Sequence, residues 1–178
     1  PEDLSPERRA VVETACQLVG KLNYFWGGKS LVLGWDDRWG TLRQVTAAGS
    51  PTSGTYRPYG MDCSGYVDWV FYNTTDGEYI IGPADILHDL RLKVHLPLGD
   101  QHGGGAHAQH TYCTTISWAE VLPGDLVFYP DDVHVGIVGG RDERGNLLIV
   151  HCASAANNVV ITGEDGFTSI GRPVFYNE

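Results

Sequence analysis

Long apolar runs, closely spaced cysteines and positive charge are scarce in this sequence, and each scarcity excludes something. No apolar stretch approaches the ~18 residues of a membrane span, and the N-terminal segment lacks the charged-then-apolar order of an export signal. The chain starts at Pro1 without Met, which reads as a processed or excised piece whose signal or anchor lay elsewhere. Cys16, Cys63, Cys113 and Cys152 are too few and scattered for a disulfide scaffold, and they form no CxxC pair of zinc spacing. The chain is expected to fold without disulfide or metal. Twelve Lys plus Arg against 22 Asp plus Glu give a net charge of -10, which repels a duplex or an anionic membrane surface. With 42% hydrophobic and 19% charged residues, disorder and coiled coil are both excluded. What remains is a loop-rich globular chain of 178 residues, with 23 Gly, 5 Trp and 9 Tyr, expected to form one monomeric domain over residues 1–178.

Ser5-Pro6 reads as an N-cap with Pro at the first helical position, and Val12, Ala15, Cys16 and Val19 then recur at helical spacing up to Gly20. This places Cys16 on a buried stripe. Residues 27 to 60 show no sustained period, only aromatic and turn residues, and are expected to form a long loop. From Cys63 the pattern turns helical: Cys63, Val67, Val70 and Phe71 fall on one face. A short helix is expected from Pro83 to about Leu92, followed by an irregular stretch from Gly99 to Thr115.

The last third changes period. Leu126 to Tyr129, His134 to Val138, Leu147 to Cys152, Val159 to Ile161 and Pro173 to Tyr176 read as strands, so the class is α+β with an antiparallel sheet. A turn centred between Asp142 and Glu143 sets His134 opposite His151, and a shift by an even number of positions keeps both on one face. That face is expected to meet the Cys63 helix. Val135, Ile137, Leu148, Val150 and Cys152 then face a second covering layer, and Gly136 makes room for the helix.

A nucleophilic thiol needs a lowered pKa, a base in reach and a group that orients the base. Cys63 opens a helix, whose free amide groups favour the thiolate. His134 and His151 are the histidines that the hairpin can bring to it. Asn23 to Gly28, Asp62-Cys63-Ser64-Gly65-Tyr66, Leu122 to Phe128, His134 to Val138 and Val150 to Ser154 together resemble, in order and character, the motifs of the NlpC/P60 cell-wall peptidases. The segments 29–60 and about 74–116 are longer than that family's usual connections, and nothing about them carries over.

The resemblance implies a papain-like fold and a cysteine endopeptidase that hydrolyses amide bonds in bacterial peptidoglycan stem peptides, between D-glutamate and the following diamino acid. It also implies a bacterial cell-wall or extracellular location. Carried over residue by residue, Cys63 is the nucleophile, His134 the base and His151 the residue that orients it. Tyr24 matches a tyrosine beside the nucleophile, while Asp62 and Ser64 match positions that receive the free amine of a stem. Packing for Tyr24 and helix capping for Asp62 stay open as alternatives. So do two other readings of the whole, a cysteine amidase or acyltransferase on the same fold and a non-catalytic wall-binding module.

His102, His107 and His110 cluster around Gly103-Gly104-Gly105 but fit no zinc motif, and read as a solvated or substrate-facing loop. No metal and no cofactor is expected. Trp35, Trp39, Tyr56 and Tyr59 either form a stacking surface over the cleft or pack the insertion onto the body. Asp36-Asp37 and Asp131-Asp132 read as turn residues. The insertion 29–60 joins two elements that must meet at the site, so it is expected to lie beside the cleft and narrow it.

Overall fold

The computed structural model describes residues 3–81 and 105–178. Six antiparallel strands form the central sheet in the order β3-β8-β4-β5-β6-β7: β3 Cys113–Thr115, β4 Leu126–Phe128, β5 Val135–Arg141, β6 Leu147–Ala153, β7 Asn158–Thr162 and β8 Ser169–Pro173. Helices α1 (Pro6–Cys16) and α2 (Cys63–Thr74) pack on one face of it. The class is α+β, as the period change along the chain indicates. The expected helix from Pro83 to Leu92 lies outside the described residues.

Helix α2 begins where it does because the Asp62 side chain accepts from the N–H of Gly65 and caps the free amides of the first turn. Residues from Cys63 to Phe71 are all buried, so this helix is apolar nearly all round and needs an apolar partner on every side. Val135, Ile137, Val150, Cys152 and Val159 on the sheet supply one, and α1 supplies another. This corrects the expected facing: the imidazole of His151 points away from the body of α2. Alternation along the strands holds, and the helix packs on the face of Val135, Ile137, Val150 and Cys152 rather than on the face that carries the imidazoles. The opposite face is covered too, by Phe167, Val121 and Ile116 over Val127, Val138, Ile149 and Ile170. A Cβ on Gly136 would lie 2.5 Å from Ile149 Cγ2 and 3.2 Å from His151 Cβ, so that glycine makes room for the histidine side of the sheet rather than for the helix.

The β5–β6 register pairs Ile137 with Val150, and a bulge between Val138 and Gly140 precedes the pairs Gly140 with Leu148 and Arg141 with Leu147. The pairing is therefore displaced by two positions from the expected one. Because the displacement is even, both histidines stay on one face.

Ser5 caps α1 as expected, accepting from the N–H of Arg8. The buried stripe differs: it runs through Arg8, Val11, Thr14, Ala15 and Leu18, and Cys16 is exposed. The cause is an ion pair. Arg8 reaches Asp125 at 3.0 Å, with both side chains shut from water, and stacks on Tyr176 at 4.1 Å; drawing its guanidinium inward turns Cys16 outward. The last expected strand is also shifted, since β8 ends at Pro173 and a 3-10 turn follows at Val174–Tyr176.

The insertion 29–60 is more regular than expected. It carries a hairpin of β1 (Leu42–Gln44) and β2 (Tyr56–Pro58), and Trp39 is buried against Trp69 and Trp35. Trp39 thus packs the insertion onto the body, while Trp35 and Tyr56 remain exposed.

Candidate active site

The Cys63 side chain sits at the first turn of α2, where that turn crosses the start of β5. The backbone N–H groups of Val135 and Ser64 lie near enough to its sulfur to favour the charged form. Val135 directly follows His134, so the strand start brings the imidazole to the cysteine's neighbourhood without presenting it from the face beneath α2. Tyr24, joined to Met61 by a bridge at the end of this segment, lies close enough for its phenol to feel the charge of Cys63. Burial, reinforced by the charges of Cys63 and Asp62, raises that phenol above its ordinary value, so it stays a hydroxyl donor.

The histidines form a chain whose proton positions follow from its far end. Thr162 Oγ1 donates to the carbonyl of Gly163 at 2.9 Å. A hydroxyl has one proton, so its contact with His151 Nε2 at 2.8 Å is one in which the imidazole donates. Burial lowers His151 to about 4, so its ring is neutral at pH 7 and Nδ1 keeps a lone pair. That lone pair accepts from His134 Nε2 at 2.7 Å. His134 is likewise lowered to about 4, by burial and then by the neighbouring imidazole, which leaves its Nδ1 bare. The arrangement holds a neutral imidazole with one basic nitrogen uncommitted.

The cysteine departs from expectation. Burial, with Asp62 adding to it, pushes the thiol up to about 11, and the two N–H groups and Lys29 only partly offset this. The field of the helix start is outweighed by the loss of water. At neutral pH Cys63 rests as a thiol and His134 as a neutral imidazole, and the hydrogen bond His134 makes is to His151.

A cavity of about 500 Å³ opens beside Cys63, walled by Trp26, Gly27, Ala47, Asp62, Ala106 and Asp132 among others. Ala47 belongs to the insertion 29–60, which therefore does lie beside the cleft. Ala106 opens the short helix α3 (Ala106–Thr111). The stretch around His107 and His110 is thus helical, not a loop, and both imidazoles bond Asp132 through Nδ1 at 2.8 Å. Asp131 and Asp132 take left-handed backbone angles, φ 59° and 55°, consistent with the turn expected there. His102 lies outside the described residues. Among the described residues no group of three or more His, Cys, Asp or Glu could hold a metal ion.

Two residues at this site escaped the sequence reading. Lys29 is buried, with its ammonium 2.8 Å from both Asp62 Oδ1 and Ser64 Oγ. Lys29 directly follows Gly27-Gly28 of the Tyr24 block and precedes Ser30, and nothing in that local pattern marks it as a partner of Asp62. Thr162 is on the face of β7 that adjoins His151, two positions from the residue paired with it, and only the strand register shows this.

With this geometry established, the chain can be set beside known proteins. No family profile matches it, and no curated protein does. Solved structures do. RipB of Mycobacterium tuberculosis, described as a peptidoglycan hydrolase, superposes with a TM-score of 0.57 and 21% identity over 93% of this chain and 64% of that one. The NlpC/p60 domain of the peptidoglycan hydrolase SagA gives 0.54 and 20%, over 92% and 97%. RipD of Mycobacterium tuberculosis, described as a non-catalytic NlpC/p60 domain adapted to peptidoglycan binding, gives 0.56 and 14%, over 95% and 98%. The chain has the NlpC/P60 fold.

Proposed function

We propose that this chain is a cysteine endopeptidase of the NlpC/P60 family that cleaves amide bonds in the peptide stems of bacterial peptidoglycan, at the D-glutamyl to diamino acid bond, outside the cell. The observation that carries the reading is the neutral chain Thr162–His151–His134, which frees His134 Nδ1 as a base at the strand start against which the Cys63 sulfur rests.

In this reading the sulfur of Cys63 adds to the scissile carbonyl carbon while its proton passes to His134 Nδ1. The C–N bond then breaks, and that proton goes to the departing amine. Water adds to the thioester, gives a proton to His134 and releases the acid, and the sulfur takes the proton back. His151 and Thr162 keep His134 in the tautomer that can accept, and Tyr24 offers its hydroxyl to the oxygen that gains charge. Since the resting thiol is protonated, proton transfer accompanies attack rather than preceding it.

The binding-only reading keeps one observation in its favour, the high thiol pKa, together with the non-catalytic RipD as a structural neighbour. Digestion of purified peptidoglycan and of defined stem peptides, with product masses compared between the native chain and Cys63→Ala, separates the two. The expected result is new D-glutamyl carboxyl ends with the native chain and none with the variant. Intact peptides bound equally by both proteins would establish the binding module instead.

A further inference from the structure

Both carboxylates that line the cysteine cavity are already engaged by cationic or N–H groups of the protein. Asp62 Oδ1 holds the Lys29 ammonium at 2.8 Å and the Gly65 N–H at 2.8 Å, and its Oδ2 takes the Gly27 N–H at 3.2 Å. Asp132 presents its two oxygens to His107 and His110. Ser64 Oγ, on the residue after the cysteine, is held by the same ammonium and by Asp62. Lys29 also lines, together with Trp26, Gly27 and Ala47, a second cavity of about 490 Å³ whose wall includes Arg38 and Arg43 and whose described lining has no carboxylate. Arg38 is paired with Asp36, and Arg43 bonds the hydroxyl of Thr41 and lies over the ring of Tyr59. Lys29 and Arg38 are thus each matched by a carboxylate, so the described cavity walls offer an incoming amine no unpaired acid.

We infer that Lys29 is a specificity residue: its ammonium occupies the acid of the cleft, so that the site takes peptides whose amino end is acylated and rejects those with a free, charged amine. This rests on the peptide-stem reading above and adds to it the chemistry of the substrate's amino end. The Asp62 and Ser64 pair, which the family resemblance assigns to a substrate amine, is instead filled from within. A substrate ammonium entering here meets a cation rather than a free carboxylate and has to displace a buried ion pair to find one. An amide-capped end carries no charge to repel and can accept a hydrogen bond from Lys29 through its carbonyl oxygen.

The test uses pairs of stem peptides identical except that the α-amine is free or acetylated. Turnover is measured with the native chain, and binding with Cys63→Ala by calorimetry. The native chain is expected to favour the acetylated member at least about tenfold in kcat/KM, and Cys63→Ala to show the same order in affinity. Lys29→Met, which leaves Asp62 free, should lose or reverse the preference. Because that variant leaves a buried carboxylate unpaired, the double variant Lys29→Met/Asp62→Asn is measured beside it and should treat both members alike. Equal use of both peptides by the native chain, or a preference that survives in the double variant, would overturn the role of Lys29 while leaving the peptidase reading intact. If neither member is bound or cut at all, the peptide-stem reading falls and this proposal falls with it.

Discussion

Replacing His134 with alanine is expected to lower kcat/KM on a stem peptide by about 10²–10⁴-fold, the span general-base removal usually covers, without unfolding the chain. The reason is the neutral state of the site. With the thiol near 11 and the imidazole near 4, no thiolate stands ready at pH 7, and attack depends on a base that takes the proton as the bond forms. The pH profile follows from the same values. Activity should stay level from about pH 5 upward and fall only as His134 protonates near 4, instead of falling near the ordinary imidazole value of about 6.5. Folding holds both histidines below their unfolded value, so the unfolded chain takes up protons first. Stability therefore declines as pH drops from about 6.5 toward 4, and a folding control belongs with the acid limb. An acid limb near 6.5, or a His134→Ala protein within tenfold of the native rate, would contradict the base role.

Removing Asp125 should cost the most in stability, about 3–5 kcal/mol, because a buried cation is left without its counter-charge. Asp125 is fully shut from water and accepts from Arg8, from two nitrogens of Arg172 and from the Leu122 N–H. Arg8 is equally buried and makes its other charged contact with Glu178, whose side chain is 36% exposed. Asp125→Ala thus strips the interior anchor of α1 to the sheet, whereas Glu178→Ala removes a solvent-screened partner and should cost no more than about 1 kcal/mol. Urea unfolding followed by tryptophan fluorescence measures both. A loss below about 1 kcal/mol for Asp125→Ala would show that Arg8 finds water or another acid.

The parts of the site that were legible in the sequence are those set by local chemistry and period. Asp62 before an apolar run marks a capped helix, and the spacing of His134 and His151 in two alternating segments marks a shared face. Three things were not legible. The face to which α2 docks is a tertiary question that alternation leaves open, since both faces of the sheet carry valine and isoleucine. The rotation of α1 is set by Asp125, more than a hundred residues away, so no local pattern could have put Arg8 inside and Cys16 outside. The cysteine's acidity is set by burial, which only the fold reveals and which outweighs the local field of the helix start. Lys29 and Thr162 act through partners brought near only by folding, and neither sits in a motif that announces it.

Catalysis by Cys63 requires a neutral His134 with a bare Nδ1, and nitrogen-15 NMR of the histidine rings reads this without substrate or turnover. At pH 7 both His134 and His151 should show the neutral, Nε2-protonated tautomer, and Thr162→Val should disturb His151 first and His134 through it. A protonated His134 beside a Cys63 thiolate, or a His134 carrying its proton on Nδ1, would contradict it.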